Sequence, residues 1–299
     1  KNKVIVIKGR GYFEESQLLR VETAKGQQFI RFDKAIVAVG SMPALPSAFD
    51  LGNKRIMTST EALALEDIPK SLLVVGGGYI GLELGTVYSA LGSSVSVVEA
   101  MDRILLGADK DLVRPVEHFA KKEFDSLRLG VKVKKMATSG KQIKVTLDVK
   151  GKSQTELYDR VLVSVGRKPN TDDLGLENTN VEMDDKGFIK VNEQQQTSDP
   201  NICAIGDISG GLLLAHKASK EARIAVEVLC GEAATSQHMI VPAVCFTHPE
   251  IAWCGVTEEE AKEKGFSVQV EKFLWMASGR AMTLGDTSGL TKIIVDKET

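Results

Sequence analysis

Leu72-Leu-Val-Val-Gly-Gly-Gly-Tyr-Ile-Gly-Leu-Glu-Leu-Gly85 is an apolar run of strand length that breaks into glycine and then opens a helical pattern, Ile80 to Leu91, stopped by Gly92. Gly76, Gly78 and Gly81 stand at G-x-G-x-x-G spacing, with Gly77 between the first two. In a dinucleotide-binding turn the first glycine bends the chain tightly and the second lets backbone approach a pyrophosphate. The third lets helix pack on strand. The helix start, at Tyr79 and Ile80, offers N–H groups and the positive end of the helix dipole to that anion. A β-branched run, Val95-Ser-Val-Val-Glu99, then sets a carboxylate eighteen residues beyond Gly81. Such a carboxylate accepts from a ribose 2′-hydroxyl and repels a 2′-phosphate, so the stretch implies NAD rather than NADP. Glycine-rich turns alone are common. Strand, glycines, helix, strand and acid in that order are a specific signal.

The other 270-odd residues bound the context. A chain of 299 residues is long enough for two domains of about 100–200 residues each. Lys+Arg 38 against Asp+Glu 40 gives a net charge of −2, which leaves no global field to attract nucleic acid or an anionic membrane. No apolar run approaches the roughly 18 residues of a membrane span. Cys203, Cys230, Cys245 and Cys254 form no C-x-x-C pair, and each has apolar neighbours, so the expectation is buried, reduced thiols in a cytoplasmic protein. His118, His216, His238 and His248 show no metal-ligand spacing, so no metal is expected.

Short strands are expected at Val4–Ile7, Leu18–Thr23 and Phe29–Phe32, the last running on to Val39 before Gly40. Lys1 and the Val4-Ile-Val-Ile7 run read as a strand met in mid-fold. Thr58-Ser-Thr60 before Glu61 reads as a short capped helix, and Asp109 as the cap of a helix with Leu112, Val113, Val116, Phe119 and Ala120 on one face. Val131–Met136, Ile143–Val149 and Leu157–Val165 read as a meander covering the sheet. Ile202–Ile205 is a buried strand ending at Gly206-Asp207, followed by a helix from Leu213 to Leu229. Thr257 to Glu260 has the capping-box pattern. A carboxylate after a buried strand lies where α/β folds bind ligands, although a Gly-Asp pair by itself also reads as a turn.

Together, Leu72–Glu99, Gly166-Arg-Lys-Pro-Asn170, Ala204-Ile-Gly-Asp207 with Leu214-Ala-His-Lys217, Pro249-Glu-Ile-Ala-Trp253 and Ala277-Ser-Gly-Arg-Ala281 resemble, in order, the NAD- and FAD-binding disulfide reductases. Among these the dihydrolipoamide dehydrogenases are the nearest likeness. The resemblance implies an α/β fold: a Rossmann-like NAD-binding domain (71–190) with its covering β-meander, inserted in the remainder of an FAD-binding domain (1–70 and 191–240). Part of an α+β interface domain (241–299) follows, with Trp253, Phe273 and Trp275 expected as exposed dimer-facing residues. It implies oxidation of dihydrolipoamide on the lipoyl domains of 2-oxoacid dehydrogenase complexes by a homodimer. Asp207 would meet the FAD ribityl chain, Ala215 the flavin through its N–H, and Gly11 the adenine of FAD through backbone. Val133 and Gly166 would make backbone contacts to NAD. Glu83 carries two readings: it meets the nicotinamide amide, or it is an acid favoured by the first turn of its helix.

The family's Ala-Thr-Gly-Ser is Ala38-Val-Gly-Ser41 here, a methyl in place of a hydroxyl. The family's C-x-x-x-x-C helix and its terminal His-Pro-Thr…Glu acid/base pair have no counterpart among the 299 residues. The expectation is therefore a fragment without catalytic residues. His248-Pro249-Glu250 lacks a suitably placed Glu and reads as a turn. An inactive NAD-binding module and a glutathione- or mercury-type reductase remain as alternatives, the latter calling for basic residues where Glu99 stands.

Overall fold

The apolar run forms the strand Ser71–Val75, and in a computed structural model that describes residues 3–298 it is the middle strand of a parallel sheet. The order across the sheet is Ile56–Met57, Arg160–Val163, Ser71–Val75, Ser94–Glu99, Ser126–Leu129. Successive strand residues point to opposite faces, and the two cores follow that alternation. Leu72, Val74, Val95, Val97 and Leu162 pack with Leu82 and Tyr88 of helix Tyr79–Ala90 and with Val113 and Val116 of helix Lys110–Glu123. Leu73, Val75, Val98, Val161 and Val163 pack instead on Val131, Met136, Ile143, Val145 and Leu147 of an antiparallel sheet. A strand buried on both faces has no polar positions to alternate, which is why the sequence is continuously apolar there.

The covering sheet consists of Val131–Ser139, Gln142–Val149 and Lys152–Tyr158. This corrects the expected meander, because the third segment, Leu157–Val165, is two strands. The chain changes sheets at Asp159, whose Oδ2 accepts from Ser71 N–H at 3.0 Å and whose Oδ1 accepts from Gln142 Nε2 at 3.1 Å. Arg160–Val163 then enters the parallel sheet beside Ser71–Val75.

The chain divides into two compact units: residues up to Met42 with Arg167–Val241, and Pro43–Gly166 with residues from Pro242 onward. The first two cuts, 42/43 and 166/167, differ from the expected 70/71 and 190/191, while the third, 241/242, falls one residue from the expected 240/241. Ile56–Met57 pairs with Arg160–Val163, which draws residues 43–70 into the unit of the parallel sheet, the one expected to be the nucleotide unit. Leu176 and Ile189 share a core with Phe13, Val37 and Ile202, which draws residues 167–190 into the other.

In that other unit Arg10–Glu15, Leu18–Thr23 and Gly26–Arg31 form an antiparallel sheet, and Ala35–Val37 pairs in parallel with Ile202–Ala204. The expected continuous strand to Val39 is thus divided between two sheets. Val4–Ile7 forms no strand; with no partner beside it among the described residues, Val4 is 73% and Ile5 86% exposed. Helix Ala215–Leu229 begins one residue after Leu214 and encloses a buried pair, Lys217 Nζ to Glu221 Oε1 at 2.6 Å.

In the nucleotide unit, residues from Pro242 supply the hairpins Ala243–Cys245/Ile251–Trp253 and Val268–Leu274/Leu290–Asp296. Helix Glu258–Glu263 has the expected capping box at Thr257/Glu260, and the short capped helix expected after Thr58, Ser59–Ala64, carries a full capping box of its own at Thr58/Glu61. Asp109 is the N-cap residue of Lys110–Glu123, but its side chain does not cap that helix. Its Oδ1 accepts from Glu258 N–H at 3.0 Å, serving a helix start 149 residues away. Lys292, only 4% exposed at its side chain, joins Asp109 (3.2 Å), Asp111 (3.2 Å) and Glu258 (3.1 Å), and Lys272 lies 2.7 Å from Asp111. Of the residues expected to be exposed, Phe273 and Trp275 are; Trp253 is half-buried against the core instead.

Removing one partner from a buried ion cluster strands the others in low dielectric, so Lys292→Met is expected to cost about 3–5 kcal/mol, read by urea unfolding. A second expectation concerns acid. Burial pushes the Asp111 carboxyl up, but Lys272 and Lys292 overcome this and hold it below the usual range; Asp199 is held down likewise against burial by Ser16 and the Asn201 and Asn180 N–H groups. Folded values below the unfolded ones give stability that is present above about pH 4 and lost as pH falls through the folded values. Thermal midpoints should change little from pH 7 to 5 on this account and fall below pH 4.

Candidate functional site

The glycine turn is defined by what would collide with a side chain. Gly76 takes φ +112°, and a Cβ there would lie 2.4 Å from Ser164 O. A Cβ on Gly81 would lie 2.2 Å from Gly76 O and 2.6 Å from Ser164 Oγ, so only glycine lets the helix sit this close to the strand ends. Gly77 faces Ile104 and Glu99, while Gly78 has nothing within 4 Å of its Cβ position. The second motif glycine therefore borders open space, and no side chain caps the helix that starts at Tyr79. Tyr79 is exposed and Ile80 packs on the core.

Glu99 ends the neighbouring strand. Its Oε2 accepts from Gly77 N–H at 2.6 Å and its Oε1 from Met101 N–H at 2.8 Å, so both oxygens are oriented by backbone. An ionised carboxylate has about four lone-pair sites, which leaves capacity for a ribose hydroxyl. Val133 is half-buried at a bulge in its strand, and Gly166 takes φ +135° with its carbonyl accepting from Ala44 N–H at 2.9 Å. Helix Tyr79–Ala90 has no acid in its first turn, so the first-turn reading of Glu83 is corrected: Glu83 opens the second turn and its Oε1 accepts from Phe246 N–H at 2.8 Å. These residues, with Gly76–Gly81, all belong to the nucleotide unit.

The remaining candidates lie in the other unit. Asp207 follows strand Ile202–Ala204 in a 3₁₀ turn, and its Oδ2 accepts from Ser41 Oγ at 2.5 Å. Arg167 donates from Nε to Ser41 Oγ and from Nη2 to Ser41 O, each at 2.7 Å, and its Nε is 3.8 Å from Asp207 Oδ2. Gly206 is held at both backbone groups by the buried pair: its N–H donates to Glu221 at 2.7 Å and its carbonyl accepts from Lys217 at 3.3 Å. Ala215 is exposed as the first residue of a 15-residue helix that no side chain caps. A carboxylate and a helix start of this kind fit the polyhydroxy chain and ring edge of a flavin. Gly11 lies on strand Arg10–Glu15, opposite Val21.

Sequence reasoning missed Ser164, Arg167 and the Phe246 N–H. Arg167 lay inside the quoted Gly166–Asn170 motif, whereas no spacing marks the others. The four cysteines are free, but the expectation of burial holds only for Cys203 and Cys245; Cys230 and Cys254 are exposed. Burial first, and then the Glu83 charge, push the Cys245 thiol up to about 11, so it stays protonated near neutrality. His248 lies in a bend and packs edge-on against Phe119 at 4.7 Å. Among the described residues no three His, Cys, Asp or Glu side chains gather as a metal site, and no helix is long and apolar enough to cross a membrane.

This geometry belongs with known proteins. Residues 1–222 match the family model for pyridine nucleotide-disulphide oxidoreductases, and residues 241–299 match the dimerisation domain of the same proteins. Dihydrolipoyl dehydrogenase of Staphylococcus aureus is 45% identical over 99% of this chain, and that of Bacillus subtilis 44% over 99%. The chain spans 63% of the length of each of these relatives. The crystal structure of LpdA from Mycobacterium tuberculosis superposes with a TM-score of 0.88 at 29% identity, over 98% of this chain and 65% of that one. The HOCl-induced flavoprotein disulfide reductase RclA from Escherichia coli gives 0.86 at 29%, over 98% and 67%. The chain is a member of the pyridine nucleotide-disulphide oxidoreductase family.

Proposed function

We propose that these 299 residues supply the NAD site and part of the FAD site of a dihydrolipoamide dehydrogenase, which oxidises protein-bound dihydrolipoamide to lipoamide in 2-oxoacid dehydrogenase complexes. The observation that carries the reading is Glu99, fixed by the Gly77 and Met101 N–H groups at the rim of the Gly76–Gly81 turn. The open space at Gly78 and the uncapped helix start suit a pyrophosphate. Glu83, steadied by Phe246 N–H, is the group offered to a carboxamide, and Val133 and Gly166 offer backbone. Asp207, Ala215 and Gly11 are offered to FAD, with Arg167 and Ser41 fixing the Asp207 carboxylate. When bound, FAD supplies the electron-carrier chemistry; the protein's part is to bind and orient.

The dimerisation segment supports a homodimer, with Phe273 and Trp275 exposed on it and lipoyl domains as the partners of the complete enzyme. Four free cysteines suit a reducing, cytoplasmic setting. Two observations favour the second reading, an NAD-binding module without turnover: the cysteines form no C-x-x-x-x-C pair, and Cys245 is held as a thiol.

NADH is expected to bind more tightly than NADPH in fluorescence titrations, and equal or tighter NADPH binding would sink the NAD assignment. Glu99→Ala is expected to weaken NADH binding by about 1.5–3 kcal/mol, the scale of a hydrogen bond to a charged group. These residues alone, with added FAD and dihydrolipoamide, should bind NAD without reducing it. NADH production at about 1 per second or faster would refute that expectation.

A further inference from the structure

The loop after Glu99 is tied down on both sides of Arg103, to Glu99 before it and to the glycine turn after it. Met101 N–H donates to Glu99 at 2.8 Å, and Leu105 N–H donates to Gly77 O at 3.1 Å. The root of Arg103 is therefore within a side chain's reach of the ribose end, and Arg103 is the one basic residue between Glu99 and Asp109. A guanidinium there is the group best suited to grip a phosphate with two donors. It is turned elsewhere. Its Nη2 donates to Glu259 Oε2 at 2.9 Å and to Leu106 O at 3.2 Å. Glu259 stands in the first turn of helix Glu258–Glu263, 156 residues away in sequence, and its other oxygen lies 3.5 Å from Lys110 Nζ. Lys110 and Arg103 together hold its carboxyl below the usual range.

We propose that Glu259 is a specificity-determining residue of the nucleotide site: by holding Arg103 away from the ribose it denies a 2′-phosphate the loop's only cation. The inference rests on the NAD reading of Gly76–Gly81 and Glu99. Discrimination then has two parts. Glu99 repels the phosphate directly, and Glu259, on the dimerisation segment, occupies the arginine that would otherwise attract it. The Glu259 side chain is 51% exposed, so its replacement leaves the core intact and the contact open to salt screening.

The test is titration of NADH and NADPH fluorescence with the unmodified chain, Glu259→Gln, Arg103→Met and the double variant. Glu259→Gln should improve NADPH binding relative to NADH about five- to tenfold, the low end for a charge-assisted contact in a screened position. Adding Arg103→Met should return the ratio to that of the unmodified chain, and salt at about 0.5 M should shrink the gain. NADH binding with an unmoved ratio in Glu259→Gln, or a gain that survives Arg103→Met, overturns the inference and leaves the NAD reading standing. No NADH binding by the unmodified chain overturns both.

Discussion

The contact of Gly81 with Gly76 and Ser164 governs how the nucleotide half is built. With a Cβ position 2.2 Å from the Gly76 carbonyl, the helix can approach the strand only because no side chain exists there. That approach brings the helix start to the C-terminal ends of the central strands and leaves Gly78 facing open space. It also brings the Gly77 N–H against the Glu99 carboxylate. Ser164 completes the arrangement by donating from Oγ to Val75 O at 3.1 Å, which ties the neighbouring strand end to the turn. One tight packing contact thus sets the positions of the uncapped helix start and of the Glu99 carboxylate together.

The same half is read easily in the sequence because its signals are local. Strand, glycines, helix and acid lie within 28 residues, from Leu72 to Glu99, and each has its own chemical signature. The capping boxes at Thr58 and Thr257 are equally local. What the sequence hid depends on partners. Leu157 to Val165 is mostly apolar on both sides of Asp159-Arg160, and two charges in a row do not by themselves show that the chain leaves one sheet for another there. Val4–Ile7 has the composition of a strand, but strand formation needs a neighbour to bond. Cys230 and Cys254 have apolar neighbours in sequence yet lie at the surface, because burial is decided by packing across the fold. Contacts such as Arg103–Glu259 and Glu83–Phe246 join residues more than 150 positions apart, beyond any spacing rule.

The candidate residues fall into two sets, one per unit, and each set is completed by residues far away in sequence. Asp207 depends on Ser41 and Arg167, 166 and 40 residues earlier. Gly206 is clasped by Lys217 and Glu221 from the following helix, so a turn with φ +79° is held through both of its backbone groups. A buried ion pair contributes little net stability when weighed against apolar packing. Its value here lies in fixing one backbone conformation beneath a carboxylate.

Asp109 gives its carboxylate to the start of a helix 149 residues downstream, and Asp111 meets a lysine 181 residues downstream. Such contacts are rewarded only after a long loop has closed, and the entropy of closure rises slowly but steadily with loop length. During synthesis the N-terminal residues of the nucleotide unit leave the ribosome well before Glu258 and Lys292 exist. Until those arrive, Asp109 and Asp111, which flank Lys110 at the start of helix Lys110–Glu123, lack the buried Lys292 that joins them in the folded unit. The parallel sheet draws only on residues 56 to 163, whereas the ionic seam that fastens residues 258–292 to it needs the whole intervening stretch of chain to be closed, so the two parts of this unit carry very different entropic costs.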